Sequence, residues 1–233
     1  MSYQAGPPLP ILYQDDYLVA INKPHGLPVH RSPLYADADR FALQSLRDQI
    51  GQRVHPLHRL DRKTSGVLLF ALDAGTTRQV QQQFLEHSIE KRYLAIVRGW
   101  FPDTLEVDYA LTNDRGVEQT ALTRFRCLQR TELQLPFGKF QTSRYSLIEA
   151  RPQTGRTHQI RKHCKHVFHP IIGDRPHGCN KQNRLFLEKW NMTTTMLHAQ
   201  SLQLRHPVSG VKVELVAECS DEFRRVKELL KLG

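Results

Sequence analysis

A lone carboxylate set among bases is the first feature able to do chemistry. In His58-Arg59-Leu60-Asp61-Arg62-Lys63-Thr64-Ser65-Gly66 one acid lies among cations, and the apolar run 67–72 begins directly after it. Neighbouring positive charge favours an ionised carboxylate, so Asp61 can serve as a nucleophile at neutral pH. The same residues also fit a plainer role, with Asp61 paired to an arginine while Thr64, Ser65 and Gly66 turn the chain. A second charged stretch, 155–167, carries Arg156, His158, Arg161 and Lys162. His158, His163, His166 and His169 crowd into it and around it, which raises the question of a metal. Arg161, Lys162 and Lys165 fill the gaps and no acid lies inside the cluster, so a divalent cation would meet a repelling field. Contacts to RNA or hydrogen bonds in a core are the other uses of these histidines. If Asp61, Arg161 and Tyr93 of Lys91-Arg92-Tyr93 converge, the carboxylate can add to an electrophilic carbon of a nucleoside. The bases would then hold phosphates, and the tyrosine would stack on the base or move a proton. Spacing alone leaves that convergence open.

Positioning such residues requires a scaffold, and the middle of the chain reads as mostly sheet. Segments 11–13 and 17–21 form a hairpin-like entry around Asp15-Asp16, stopped by Lys23-Pro24-His25-Gly26. A short amphipathic helix over 41–50 is closed by Gly51, and a helix over 76–87 has a Gln-rich wet face. Strands are expected at 67–72, 93–97, 105–109, 121–128 and 145–150. The stripe Ile160, Cys164, Val167 gives 155–167 one apolar face, with bases on the others. Two strands, 197–204 and 211–216, and a helix over 221–232 complete the pattern. Strands outnumber helices without alternating with them, so the fold class is α+β, one domain with a large, mainly antiparallel sheet flanked by helices.

The chain has 233 residues, 39% of them hydrophobic, which suffices for a real core. Its 33 Lys+Arg against 23 Asp+Glu leave a net charge of +10. That balance points to a nucleic-acid partner, with a merely solvated cationic face as the other reading. Cys127, Cys164, Cys179 and Cys219 form no C-x-x-C pair, so neither a disulfide framework nor a cysteine zinc site is indicated, and the cytoplasm is the expected compartment. No leader-like start or membrane-length apolar run is present. The phosphate-cradling, dinucleotide, nucleophile-elbow and zinc-protease motifs are all absent, so no nucleotide cofactor or metal is expected.

Four ordered motifs carry a resemblance: Asn-Lys-Pro-His-Gly at 22–26, His-Arg-Leu-Asp-Arg-Lys-Thr-Ser-Gly at 58–66, Lys-Arg-Tyr at 91–93 and Gly-Arg-Thr-His-Gln-Ile-Arg at 155–161. Together they resemble the pseudouridine synthases of the family that includes the large-subunit ribosomal RNA enzymes. The resemblance runs nearly end to end. It implies isomerisation of a uridine to pseudouridine without a cofactor, in a central RNA-binding cleft, with Asp61 as the catalytic aspartate. Tyr93 would lie beside the uracil, Arg161 would pair with Asp61, and Arg59 would fill the space left by the flipped base. His58, Arg62, Lys63, Arg156, His158 and Lys162 are the remaining expected RNA contacts. Stretches 46–51, 83–100, 173–178 and 183–184 resemble the members that modify uridine 65 in the T-stem of tRNA. Cys179 departs from the acidic residue expected after His-Gly, and 112–119 looks shorter than in those members. The catalytic pattern implies one domain over 9–233 behind a flexible 1–8, with no separate RNA-binding module in front. The expected state is a monomer meeting RNA and no membrane. Alternatives are the same chemistry on ribosomal RNA, a non-catalytic RNA-binding or folding protein with a structural Asp61, and, more weakly, a metal-dependent hydrolase.

Overall fold

The computed structural model describes residues 6–232; residues 1–5 of the expected flexible start lie outside them. In chain order the elements are β1 (Ile11–Gln14), β2 (Leu18–Lys23), α1 (Ala42–Ile50), β3 (His55–Pro56), β4 (Ser65–Ala71), α2 (Ala74–Leu85), β5 (Glu90–Arg98) and β6 (Thr104–Asp108). They continue with β7 (Leu111–Thr112), β8 (Glu118–Gln119), β9 (Leu122–Leu133), β10 (Ser143–Pro152), α3 (Gln159–His166), α4 (Asn180–Trp190), β11 (Leu197–Arg205), β12 (Lys212–Val216) and α5 (Asp221–Leu229). The fold is α+β with a large, mainly antiparallel sheet, as expected. Among the described residues no helix is long and apolar enough to cross a membrane.

Residues 6–90 and 199–219 form one compact unit. Strand β4 is buried at every position, which explains why its sequence is a continuous apolar run rather than an alternating one. It pairs antiparallel with β2, from Leu18 opposite Ala71 to Lys23 opposite Gly66. Leu18, Ala20, Val67, Leu69 and Ala71 pack with Val80 of α2 and with Leu202, Leu204 and Leu215 to make the core. Helix α2 begins at Asp73, whose carboxylate accepts from the Thr76 amide at 2.8 Å. Gly66 is the tight point: its φ is +112°, and a Cβ there would lie 2.2 Å from the Ala199 carbonyl oxygen. Only glycine admits both that backbone and that approach.

Residues 91–198 and 220–232 form the second unit. Here β5, β10, β9 and β6 lie side by side, with Tyr93 opposite Ala150 and Arg98 opposite Tyr145. The long β9–β10 pair runs from Ser143 opposite Leu133 to Pro152 opposite Thr123. Phe101 packs on Phe125 at 5.5 Å, and Tyr145 packs on Phe186 of α4 at the same centroid distance. Helix α4 was not among the expected elements. Its buried residues are Gln182 and Phe186 alone, too sparse a stripe to stand out from a polar sequence.

Candidate active site

In the first unit the signature forms a turn that delivers the chain into β4. The Thr64 amide donates to the Asp61 carbonyl at 3.0 Å, and the turn ends as buried Ser65 opens the strand. Asp61 thereby sits, half-buried, at the entrance to the apolar core. The bases around it divide by function. Arg59 is exposed and makes no hydrogen bond or ion pair with the described residues, leaving its guanidinium available. Arg62 is committed: it grips Asp37 at 2.8 Å and 3.0 Å and donates to the Gly26 carbonyl at 3.1 Å, tying the 26–37 loop to the signature. His58 accepts the Leu69 amide at its Nε2 at 3.0 Å and lies against Phe84, so it braces β4 and α2. Lys63 is half-buried beside them.

Lys23, part of the strand stop and of the Asn-Lys-Pro-His-Gly motif, was given no role of its own by sequence reasoning. Its side chain is fully buried, and its Nζ donates to the carbonyls of Pro24 (2.9 Å), Leu27 (2.8 Å) and Arg62 (3.3 Å). Burial pushes its pKa down to about 7, while the charge of Asp61 pulls it back up. The ammonium therefore joins the Lys-Pro-His-Gly bend to the signature turn and supplies positive potential at Asp61. The signal available in the sequence was the lysine of Asn-Lys-Pro-His-Gly, set between a buried strand and a proline.

In the second unit, Tyr93 lies half-buried in β5, next but one to Lys91 and so on the same face. The Lys91 Nζ donates to the Thr154 carbonyl at 3.1 Å, and burial lowers its pKa to about 8. Gly155 to Gln159 is shaped by one buried amide. Gln159 Oε1 accepts from the Thr154 hydroxyl (2.7 Å) and the Arg156 amide (3.0 Å), and its Nε2 donates to the Leu122 carbonyl and the Thr123 hydroxyl, each at 3.0 Å. Helix α3 then places Arg161 in a buried position, where Asp174 takes its Nε at 2.7 Å and Nη2 at 2.8 Å. This bidentate clamp fixes the guanidinium plane, and the arginine in turn holds the Asp174 carboxyl below its ordinary range against the opposing effect of burial.

The expectation that α3 has one apolar face and basic others is corrected here. His163 is fully buried, with Nδ1 3.0 Å from the Thr123 hydroxyl and Nε2 3.0 Å from the Tyr109 carbonyl, and its pKa is lowered chiefly by burial. His158, in a left-handed conformation at φ +57°, places Nδ1 2.9 Å from Nε2 of His177. Burial drives His177 down to about 4. His166 stacks on Tyr109, and Nδ1 of His169 lies 2.9 Å from the Arg98 carbonyl oxygen. Arg156 donates to the Thr120 carbonyl and Lys162 to that of Thr112, so both brace the 112–120 segment as well as carrying charge. Asp174 and His177 were legible only as part of the 173–178 stretch, since nothing in their spacing announces a partner for Arg161.

Residues 17–166 match the family model described as RNA pseudouridylate synthase, a span that includes β2 to α3 and therefore Asp61, Tyr93 and Arg161. The chain belongs to the RNA pseudouridylate synthase family. It is thus an isomerase acting on RNA. Among similar proteins, the tRNA pseudouridine synthase C of Vibrio parahaemolyticus is 44% identical over 229 residues, covering 94% of this chain and 93% of that one. That of Haemophilus ducreyi is 47% identical over 226 residues, covering 93% of each. Among solved structures, Human RNA Pseudouridylate Synthase Domain Containing 4 superposes with a TM-score of 0.74 at 27% identity, covering 95% of this chain and 93% of that one. In that family setting the signature turn, β5 and α3 are the elements whose motifs this synthase shares with the resemblance drawn from sequence.

Proposed function

We propose that this synthase isomerises uridine 65 in the T-stem of tRNA, with Asp61 as nucleophile, Tyr93 beside the uracil and Arg161 as the partner that keeps Asp61 ionised. The observation carrying the substrate is that relatives named tRNA pseudouridine synthase C match at 44% and 47% identity over more than nine-tenths of both chains. The Asp61 carboxylate attacks C1′ of the ribose or C6 of the uracil, and the bond from N1 to C1′ breaks. The uracil turns, C5 joins C1′, the bond from the Asp61 oxygen to C1′ or C6 breaks and returns the free carboxylate, the C5 proton leaves and N1 takes one up, so atoms balance with no redox step. The half-buried position of Asp61 and the clamped, buried guanidinium of Arg161 support these roles. A paired uridine must first leave the stem at a cost of a few kcal/mol, and the unengaged Arg59 suits the vacated space. His58, Arg62, Lys63, Arg156, His158 and Lys162 contribute positive potential or brace the loops that meet RNA. The catalytic domain over 9–233 acts as a monomer in the cytoplasm, a reading supported by the tRNA-modifying relatives.

Bulk tRNA and ribosomal RNA from a strain lacking the protein, incubated with it and mapped for new pseudouridines by chemical labelling and primer extension, tests the substrate. One new site in the T-stem is expected. A site confined to ribosomal RNA would move the same chemistry to that substrate.

A further inference from the structure

Strand β5 carries Tyr93 near one end and Arg98 at the other, about 16 Å apart at ~3.3 Å per residue and, five positions apart, on opposite faces of the sheet. Around Arg98 lies a cavity of about 290 Å³ lined by Phe137, Phe140, Arg144, Tyr145 and Gln182 among others. Arg98 has no carboxylate partner among the described residues. Its guanidinium lies 5.2 Å from the Phe137 ring centroid and 3.8 Å from the Cys179 sulfur. Cys179 precedes α4 and makes no side-chain capping bond, so at this point Arg98 meets a thiol and no carboxylate. Arg144 differs, sharing its charge with Glu132 at 3.2 Å and stacking on Trp100 at 4.2 Å. The cavity therefore carries the charge of Arg98, without a carboxylate partner among the described residues, on a lining that also holds the rings of Phe137, Phe140 and Tyr145.

Its aromatic rim is held in place. Phe137 and Phe140 exchange backbone hydrogen bonds of 2.9 Å and 3.2 Å across a two-residue turn in which Gly138 takes φ +63°. Phe140 is 56% exposed, with Lys139 over its ring at 5.5 Å. Below, Gln182 donates to the Tyr145 hydroxyl and closes the floor. A ring face beside a guanidinium that has no carboxylate partner among the described residues fits a base with its phosphate, the pairing used on single-stranded nucleic acid. The volume sits at the small end of the ~300–1,000 Å³ typical of ligand clefts, enough for one such unit.

We propose that this pocket binds one unpaired nucleotide of the RNA substrate, remote from the reacting uridine, with the phosphate on Arg98 and the base on Phe140. The proposal rests on the tRNA reading above and adds a second point of recognition to it. Affinity is measured for full-length tRNA and for a short stem-loop bearing the target uridine, using wild type, Phe140→Ala, Arg98→Gln and, as a charge control, Arg47→Gln. Arg47 is exposed and paired with Asp48. Phe140→Ala and Arg98→Gln should each weaken full-length tRNA about tenfold while leaving the stem-loop unchanged. The loss should appear in KM rather than kcat, and Arg47→Gln should bind as wild type does. Truncating an exposed ring leaves the fold intact, so Phe140→Ala decides the matter if Arg98→Gln fails to fold. Wild-type affinity of Phe140→Ala for full-length tRNA, an equal loss on both RNAs, or uridine monophosphate binding at the pocket undisplaced by tRNA would each overturn the proposal. Pseudouridine formation by the wild type tests the substrate separately, so the two failures are distinguishable.

Discussion

Individual side chains carry the sharpest consequences. Replacing Asp61 by Asn keeps the size of the side chain and removes the nucleophile; product formation should fall below detection while tRNA affinity, measured by filter binding, changes less than about threefold. Lys23 gives a pH signature. Its folded pKa of about 7 lies below the ordinary lysine value, so between the two the unfolded chain binds a proton that the folded chain does not. Stability contributed at this site therefore rises with pH from about 7 upward, by at most about 1.4 kcal/mol per unit, and is flat below. Lys91, lowered to about 8, acts in the same direction from its own value. Denaturant titrations at pH values from about 6 to 9 should show wild type gaining on Lys23→Met across that window; parallel curves would mean that Lys23 does not titrate there. Sequence alone singled out Asp61, Tyr93 and Arg161, because their types are chemically suggestive and their motifs distinct. It could not show that Arg62 is engaged by Asp37 or that Asp174 clamps Arg161, since both are pairings across intervening structure.

At the scale of elements, the junctions matter more than the interiors. Gln159 satisfies four polar partners from a buried position, so Gln159→Ala leaves several buried groups unpaired and should cost about 2–4 kcal/mol in chemical unfolding. A cost within experimental error would show that water replaces the amide. Gly66→Ala forces a Cβ onto the Ala199 carbonyl at an unfavourable φ, and loss of soluble, cooperatively melting protein is expected. The elements themselves were legible where a hydrophobic pattern dominated. Strand β4 is found at Ser65–Ala71 against the expected 67–72 and helix α3 begins at Gln159 inside the expected 155–167 stretch, whereas β9 continues past residue 128 through Gln129, Arg130, Thr131 and Glu132. Those positions pair with β10 through their backbones and through Arg144–Glu132, an interaction that leaves no apolar alternation to read. Helix α4 escaped for a related reason, with a buried glutamine occupying one of its two core positions.

For the whole molecule, the net charge of +10 and the absence of a metal or nucleotide motif in the sequence direct attention to phosphate contacts. If about four phosphates are neutralised, tRNA affinity should fall about a hundredfold between about 50 and 200 mM salt. A flat response would assign affinity to uncharged contacts instead. The α+β class followed from the count and spacing of apolar segments, while the division of the described residues into two compact units did not, because segments 199–219 and 220–232 join units begun far earlier in the chain. The most direct test of the central claim uses tRNA labelled with tritium at uracil C5, since joining C5 to C1′ requires that hydrogen to leave. Wild type should release one equivalent of tritium per substrate tRNA and Asp61→Asn none. Release by Asp61→Asn at the wild-type rate, or no release by wild type above background, would contradict it.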